Sequence, residues 1–206
     1  MRILIISNLF PPDVLGGYEI LCSQVTEALR SRGHSVSVLT SSCRMPCQDH
    51  DVHRELELEL LFDRPFRRSR LRRRTVGRRN ERRTARRIAA LAPDLIFLWS
   101  QRRLTLGPAR AAQASGVPVA WSLNDEYLAG FAPSSRRSSL RGLIGALSDA
   151  SWARRDTLQS VQLDRVTVIS RCLRDRLLAQ GVPVEEAEVI YQGPPLEAFP
   201  RRDAIE

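Results

Sequence analysis

A strand, a proline-broken loop, a helix and a second strand are written into the first 41 residues, and this unit constrains what the rest of the chain can become. Arg2-Ile-Leu-Ile-Ile-Ser7 is an apolar, β-branched run, Asn8 to Gly17 is interrupted by Pro11 and Pro12, Tyr18 to Arg32 has helical periodicity, and His34 to Ser41 resumes as Val-Ser-Val-Leu-Thr. That is one βαβ unit. Its crossover is right-handed, so the Gly16-Gly17 loop falls at the carboxyl end of the first strand and feeds the helix N-terminus, where open α/β sheets bind ligands. Paired glycines let backbone N–H groups approach an anion or phosphate at the positive end of a helix. Taken alone, the same pair reads first as a turn before a helix. It is neither a Walker loop, since no Lys follows, nor Gly-x-Gly-x-x-Gly, since the glycines are adjacent.

Several spaced features together resemble the opening of glycosyltransferase family 4: Arg2-Ile-Leu-Ile-Ile-Ser-Asn-Leu-Phe-Pro-Pro12, Gly16-Gly17-Tyr18-Glu19, Ala28-Leu-Arg-Ser-Arg-Gly-His34 and Val36-Ser-Val-Leu-Thr40. The resemblance implies a GT-B fold in which a sugar passes from a nucleotide-sugar to an acceptor across a cleft between two domains, without a catalytic metal. It further implies that Gly16 and Gly17 approach the donor phosphate.

The remaining strands are expected from their patterning. Val52 to Phe62 alternates Leu56, Leu58, Leu60 against Glu55, Glu57, Glu59, as a strand with one wet face near a sheet edge does. Asp94 to Ser100 and Val117 to Leu123 are continuous apolar runs, the mark of parallel strands buried on both faces, with a helix from Pro108 to Ala114 between them. A helix is expected over Leu143 to Val161, with Trp152 on its buried side. Leu163 to Ser170 is the next strand, Cys172 to Gln180 a helix closed by Gly181, and Glu188 to Tyr191 a last short strand. The fold class expected is α/β, a doubly wound, Rossmann-like parallel sheet forming the N-terminal half of a GT-B architecture.

Asn124-Asp125-Glu126-Tyr127 follow directly on the Val117–Leu123 run, at the edge of the sheet that faces the ligand crevice. The family usually carries His-Asp here, with the His in the acceptor cleft. Asn124 stands in place of the His and Asp125 is kept. An amide can hydrogen-bond a sugar hydroxyl and takes no proton near neutral pH, so no catalytic residue is assigned. An Asx-type turn is the other reading of the pair. The acceptor face implied by the resemblance is Asn8, Glu19, Asn124, Asp125 and Tyr127.

All 32 basic residues are arginines, which points to a GC-rich, bacterial genome and weakens any inference from the net charge of +9. Their distribution still matters, because thirteen fall between Arg64 and Arg87 against one acid, Glu81. The block, with Arg67, Arg68, Arg72, Arg73, Arg74, Arg78 and Arg79, is either a solvated helix face or a grip on anionic lipid or a phosphorylated acceptor. Its narrow apolar stripe would be Leu71, Val76, Ile88 and Leu91, with Thr84 to Leu91 the better helix. Nucleic acid is not an expected partner, since no aromatics are interleaved and no nucleic-acid motif is present.

Cys43, Cys47, His50 and His53 are spaced more tightly than structural zinc ligand pairs, so the segment reads as a polar loop and no metal is expected. No apolar run reaches the roughly 20 residues that span a bilayer, and the first run carries no cleavage site. A cytoplasmic protein with reduced thiols, at most peripheral to a membrane, is expected.

Residues 1–195 are expected to form the N-terminal domain, and 196–206 the start of the hinge, where Gln192-Gly193 stands at the family's Asn-Gly. The second domain, with most donor contacts, would lie beyond Glu206. The expected function is the acceptor-binding half of a nucleotide-sugar-dependent glycosyltransferase, the donor being substrate and not cofactor, with a lipid-linked or phosphorylated acceptor. The alternative is a stand-alone Rossmann-like binding or partner domain without catalysis.

Overall fold

The computed structural model describes residues 1–41, 50–59, 70–132 and 157–193. Seven parallel strands form one sheet in the order β3-β2-β1-β4-β5-β6-β7. They are β1 (Arg2–Ile6), β2 (Ser35–Ser41), β3 (Val52–Leu56), β4 (Leu95–Leu98), β5 (Val119–Leu123), β6 (Val166–Val168) and β7 (Glu188–Val189). The helices are α1 (Gly17–Ser31), α2 (Arg70–Leu91), α3 (Gly107–Ala114) and α4 (Arg171–Ala179), with 3-10 turns at Tyr127–Phe131 and Leu158–Ser160. The expected helix over Leu143 to Val161 lies mostly outside the described residues, whose last part is the 3-10 turn.

The order makes β1 and β4 neighbours although α1, β2, β3 and α2 separate them in sequence. From β1 the chain winds one way through β2 to β3, then returns past β1 and winds the other way. Right-handed crossovers in opposite directions place their helices on opposite faces. Accordingly Ile3, Ile5, Val36 and Val38 cluster with Cys22 of α1, while Leu4, Ile6, Leu39 and Ile96 cluster with Ile88 of α2 and Ala109 and Ala112 of α3.

The face α1 buries is not the one its apolar residues suggest. Cys22 and Thr26 are buried and Leu21, Val25 and Leu29 partly so, whereas Ile20 and Ala28 are exposed. Leu21, Val25 and Leu29 pack around this contact as partly buried neighbours of the same cluster. Burial pushes the Cys22 thiol up to about 12, so it packs as a small neutral residue.

Helix α2 is continuous from Arg70, and its buried stripe is Val76, Asn80, Thr84 and Ile88, with Leu71 exposed. Half of that stripe is polar because Asn80 replaces a strand neighbour. Its Oδ1 accepts from the Glu57 N–H at 2.9 Å and its Nδ2 donates to the carbonyls of Glu57 at 2.8 Å and Leu104 at 3.0 Å. This ends β3 at Leu56, short of the expected Phe62, because the backbone beyond pairs with a side chain.

Candidate functional site

The carboxyl ends of β1, β4 and β5 lie side by side where the strand order reverses, the position of the ligand crevice in open α/β sheets. Strand β1 runs out through Ser7 and Asn8. The Asn8 N–H donates to the Ser100 carbonyl at 2.8 Å, and the Asn8 carbonyl accepts from the Ser41 hydroxyl at 2.6 Å, so three strand ends are tied together. The loop beyond is held by Arg54 of β3, whose guanidinium donates to the carbonyls of Phe10 and Pro11.

Gly16 and Gly17 form the exposed lip of this crevice. A Cβ built on either meets no atom within 4 Å, so nothing inside the described protein requires glycine there. Glu19, expected on the acceptor face, is buried under the lip instead. Its Oε2 accepts from the N–H groups of Leu15 at 3.2 Å and Gly16 at 3.0 Å, the reciprocal half of a capping box. Its work is to shape the lip.

Tyr18 joins the lip to the opposite wall. Its ring stacks edge-to-face with Trp99, with centroids 6.2 Å apart, and its carbonyl accepts from the Trp99 indole N–H at 3.2 Å. Its hydroxyl is buried near Asp125; burial, then Asp125, holds the phenol well above its ordinary value. Sequence reasoning missed this residue, although its place beside the glycine pair was a signal.

Asn124 and Asp125 are half-buried as expected at the end of β5. The Asn124 Oδ1 accepts from Ser122 Oγ at 3.3 Å and from Gln192 Nε2 at 3.2 Å. The Asp125 Oδ1 accepts from the Tyr127 N–H at 2.9 Å, so the Asx turn is real. Burial pushes the Asp125 carboxyl up, opposed by that N–H and by Arg102, a residue of the β4 loop.

Tyr127 turns its hydroxyl inward. It donates to Glu59 Oε2 at 3.3 Å, while Arg73 reaches Glu59 at 3.5 Å and lies 4.0 Å over the Phe131 ring. Burial, then Glu59, raises the phenol. Arg103 and Thr105 hold φ of +65° and +71°, unusual for any residue and more so for a β-branched one. Tyr127 thus directs its hydroxyl to Glu59 inside the protein and not to an acceptor face. Tyr127→Phe leaves Glu59 short of one donor, and is expected to cost about 1 kcal/mol in denaturant unfolding.

The arginine block divides into two stripes. Arg72, Arg73, Arg79, Arg83 and Arg87 meet the carbonyl or carboxylate groups of Glu55, Glu57 and Glu59, so much of the expected anion-attracting charge is neutralised by the β3 segment. Arg78, Arg82 and Arg86, four apart, are exposed on α2, with Arg74 half-buried in the same row. Arg67 and Arg68 lie outside the described residues, as do Cys43 and Cys47. Among the described residues no group of three His, Cys, Asp or Glu could hold a metal ion, and no helix is long and apolar enough to cross a membrane.

Residues 15–198 match Glycosyltransferase Family 4, and the chain belongs to that family. Among solved structures it is similar to the sucrose-phosphate synthase of Thermosynechococcus elongatus, at 17% identity and a TM-score of 0.57, covering 96% of this chain and 49% of that one. It is also similar to the apo form of WaaB, a lipopolysaccharide outer core galactosyltransferase, at 15% identity and a TM-score of 0.55, covering 98% and 50%. A third is the UDP-GlcNAc 2-epimerase of Methanocaldococcus jannaschii, at 12% and 0.50, covering 92% and 45%. The chain spans about half the length of each. A search of curated protein sequences finds no match. These likenesses give the fold, a seven-stranded Rossmann-like half of the GT-B type.

Proposed function

We propose that the chain is the acceptor-side, N-terminal half of a nucleotide-sugar-dependent glycosyltransferase. Residues 1–195 are its domain and 196–206 lead to a second domain that carries most donor contacts. The observation that carries this reading is the Gly16-Gly17 lip. It is a glycine pair that no neighbouring protein atom demands, at the start of a 15-residue helix, above a crevice built where the strand order reverses. In this reading the donor is a substrate, no metal takes part, and Asn124 and Asp125 position an acceptor hydroxyl without serving as a histidine base would.

Transfer from nucleotide-sugars is the test, measured on the chain alone and on its full reading frame. One wall of a two-walled site cannot hold donor and acceptor together, so the chain alone is expected to be inactive. Transfer by the chain alone at a rate clearly above background overturns the half-enzyme reading.

Peripheral contact with an anionic membrane in the cytoplasm belongs to the same proposal, through the outward row of α2. Sedimentation with phosphatidylglycerol vesicles should show salt-sensitive binding that falls when Arg78, Arg82 and Arg86 are changed to Gln, since each basic residue near such a surface adds about 1 kcal/mol. Equal sedimentation of the variant leaves α2 a purely structural helix.

A further inference from the structure

Strained backbone persists only where its surroundings fix it. The segment leaving β4 is such a place, because from Leu98 to Ala109 every residue is buried except Arg102. On one side of it the Gln101 Nε2 donates to the Ile6 carbonyl at 3.1 Å. On the other, the Arg103 carbonyl accepts from the Glu59 N–H at 2.8 Å and the Leu104 carbonyl from Asn80 Nδ2 at 3.0 Å. Arg103 itself takes a left-handed backbone with φ of +65°. One exposed cation is thus carried on a loop anchored to β1, α2 and the β3 segment.

What that cation stands beside is set by the sheet. Leu98 of β4 pairs with Trp121 of β5, and Arg102 and Asp125 each follow four residues beyond that pair, on adjacent loops. Asp125 is half-buried and fixed by the Tyr127 N–H at 2.9 Å. The groups around it are the Tyr18 phenol of α1, kept neutral by burial, that Tyr127 N–H, Glu126 and Arg102. Glu126 is itself taken up by Arg176 at 3.3 Å and by Gln180, both at the end of α4. Among the described residues Arg102 is the one cation that acts on the Asp125 carboxyl.

Burial favours the protonated acid and a neighbouring guanidinium favours the carboxylate. The two forms are not equivalent to a ligand, since a carboxylate only accepts hydrogen bonds whereas an acid also donates one. We infer that Arg102 is a positioning residue: held across from Asp125 by its anchored loop, it keeps that side chain a carboxylate, so this point of the crevice accepts a hydrogen bond and selects a ligand group that donates one. The part this charge plays in transfer rests on the proposed function; the charge itself does not.

Carbon NMR of the Asp125 carboxyl, followed against pH on the chain, tests this. In Arg102→Gln the carboxyl should titrate about one pH unit higher than in wild type, the effect of removing a nearby opposite charge. Arg102→Lys keeps the charge and should titrate as wild type does. Arg102 is exposed, so both variants should melt as wild type does. An unchanged titration in Arg102→Gln, or a titration in Arg102→Lys that follows the Gln variant, overturns the inference. In the full reading frame the acid side of the pH–rate profile should move up with the Asp125 titration in Arg102→Gln and return in Arg102→Lys. A profile that stays in place while the titration moves overturns the part of Arg102 in transfer. A titration that moves as expected, in a protein that transfers at no pH, sinks the transferase reading alone.

Discussion

Gly107→Ala is expected to lower the melting temperature by roughly 6 to 12 °C, the fall that about 3 kcal/mol produces in a domain of this size. Gly107 opens α3 at its crossing with α2, and a Cβ there would stand 2.2 Å from the Gly77 carbonyl oxygen, 3.1 Å from the Gly77 carbonyl carbon and 3.2 Å from the Glu81 nitrogen. These are backbone atoms, so no side chain can swing aside. Separation of the helices would then pull on the Arg110 to Glu81 ion pair at 2.9 Å and on Leu104, whose carbonyl Asn80 holds. The strain also reaches the crevice, because the Gly107 N–H donates to the hydroxyl of the left-handed Thr105 at 3.2 Å. A melting temperature within 2 °C of wild type by calorimetry, about the shift that 1 kcal/mol or less would give, would show that the two helices separate freely.

Gly17→Ala should act in the opposite sense. Gly17 is the first residue of α1 and its Cβ direction is open, so alanine is expected to leave stability unchanged or raise it by about 0.4 to 1 kcal/mol through the unfolded chain. The same methyl occupies the space a donor phosphate needs to approach the backbone. In the full reading frame, transfer or donor affinity should therefore fall at least tenfold, equivalent to about 1.4 kcal/mol, while the melting temperature holds or rises. Gly16 has an extended backbone with φ of −175° that any residue adopts, so the double change to Ala is a fair test of the lip. Wild-type activity in a well-folded Gly16→Ala, Gly17→Ala protein would reduce the lip to the turn that starts a helix.

The contrast between these two glycines marks where reading residues in order stops. Gly16 and Gly17 are recognisable because they interrupt a strand-to-helix passage, whereas Gly107 is one small residue before a proline, and its neighbour Gly77 lies thirty positions away. Close approach of two helices leaves no local pattern.

Much of the framework was nonetheless legible. Continuous apolar runs such as Leu95–Leu98 and Val119–Leu123 announce strands covered on both faces, and Gly116 and Gly181 close helices with φ of +75° and +78°. The run after Val52 announced an edge strand, found at β3 beside β2 alone, although β3 ends at Leu56 and most of the alternating residues lie beyond it. Asn124 and Asp125 were expected at the carboxyl end of β5 from the rule that residues just past a parallel strand face the ligand side, and they stand there half-buried, whereas Asn8 was assigned from the family resemblance.

By itself, then, the order of residues announced the α/β class and most of the strands and helices, because hydrophobic period and glycine or proline breaks are local quantities. Only tertiary structure decided which polar groups are spent. Tyr127 and Glu19 look as available as Asn124 in the sequence, yet one is bound to Glu59 and the other caps α1. The arginines of α2 look like an undivided basic face, yet one stripe is taken up by the glutamates of the β3 segment. Apart from the local cap made by Glu19, the partners that decide whether a side chain keeps its hydrogen bonds and charge for a ligand stand 14 to 68 residues away along the chain, a separation closed only when the sheet and α2 pack together.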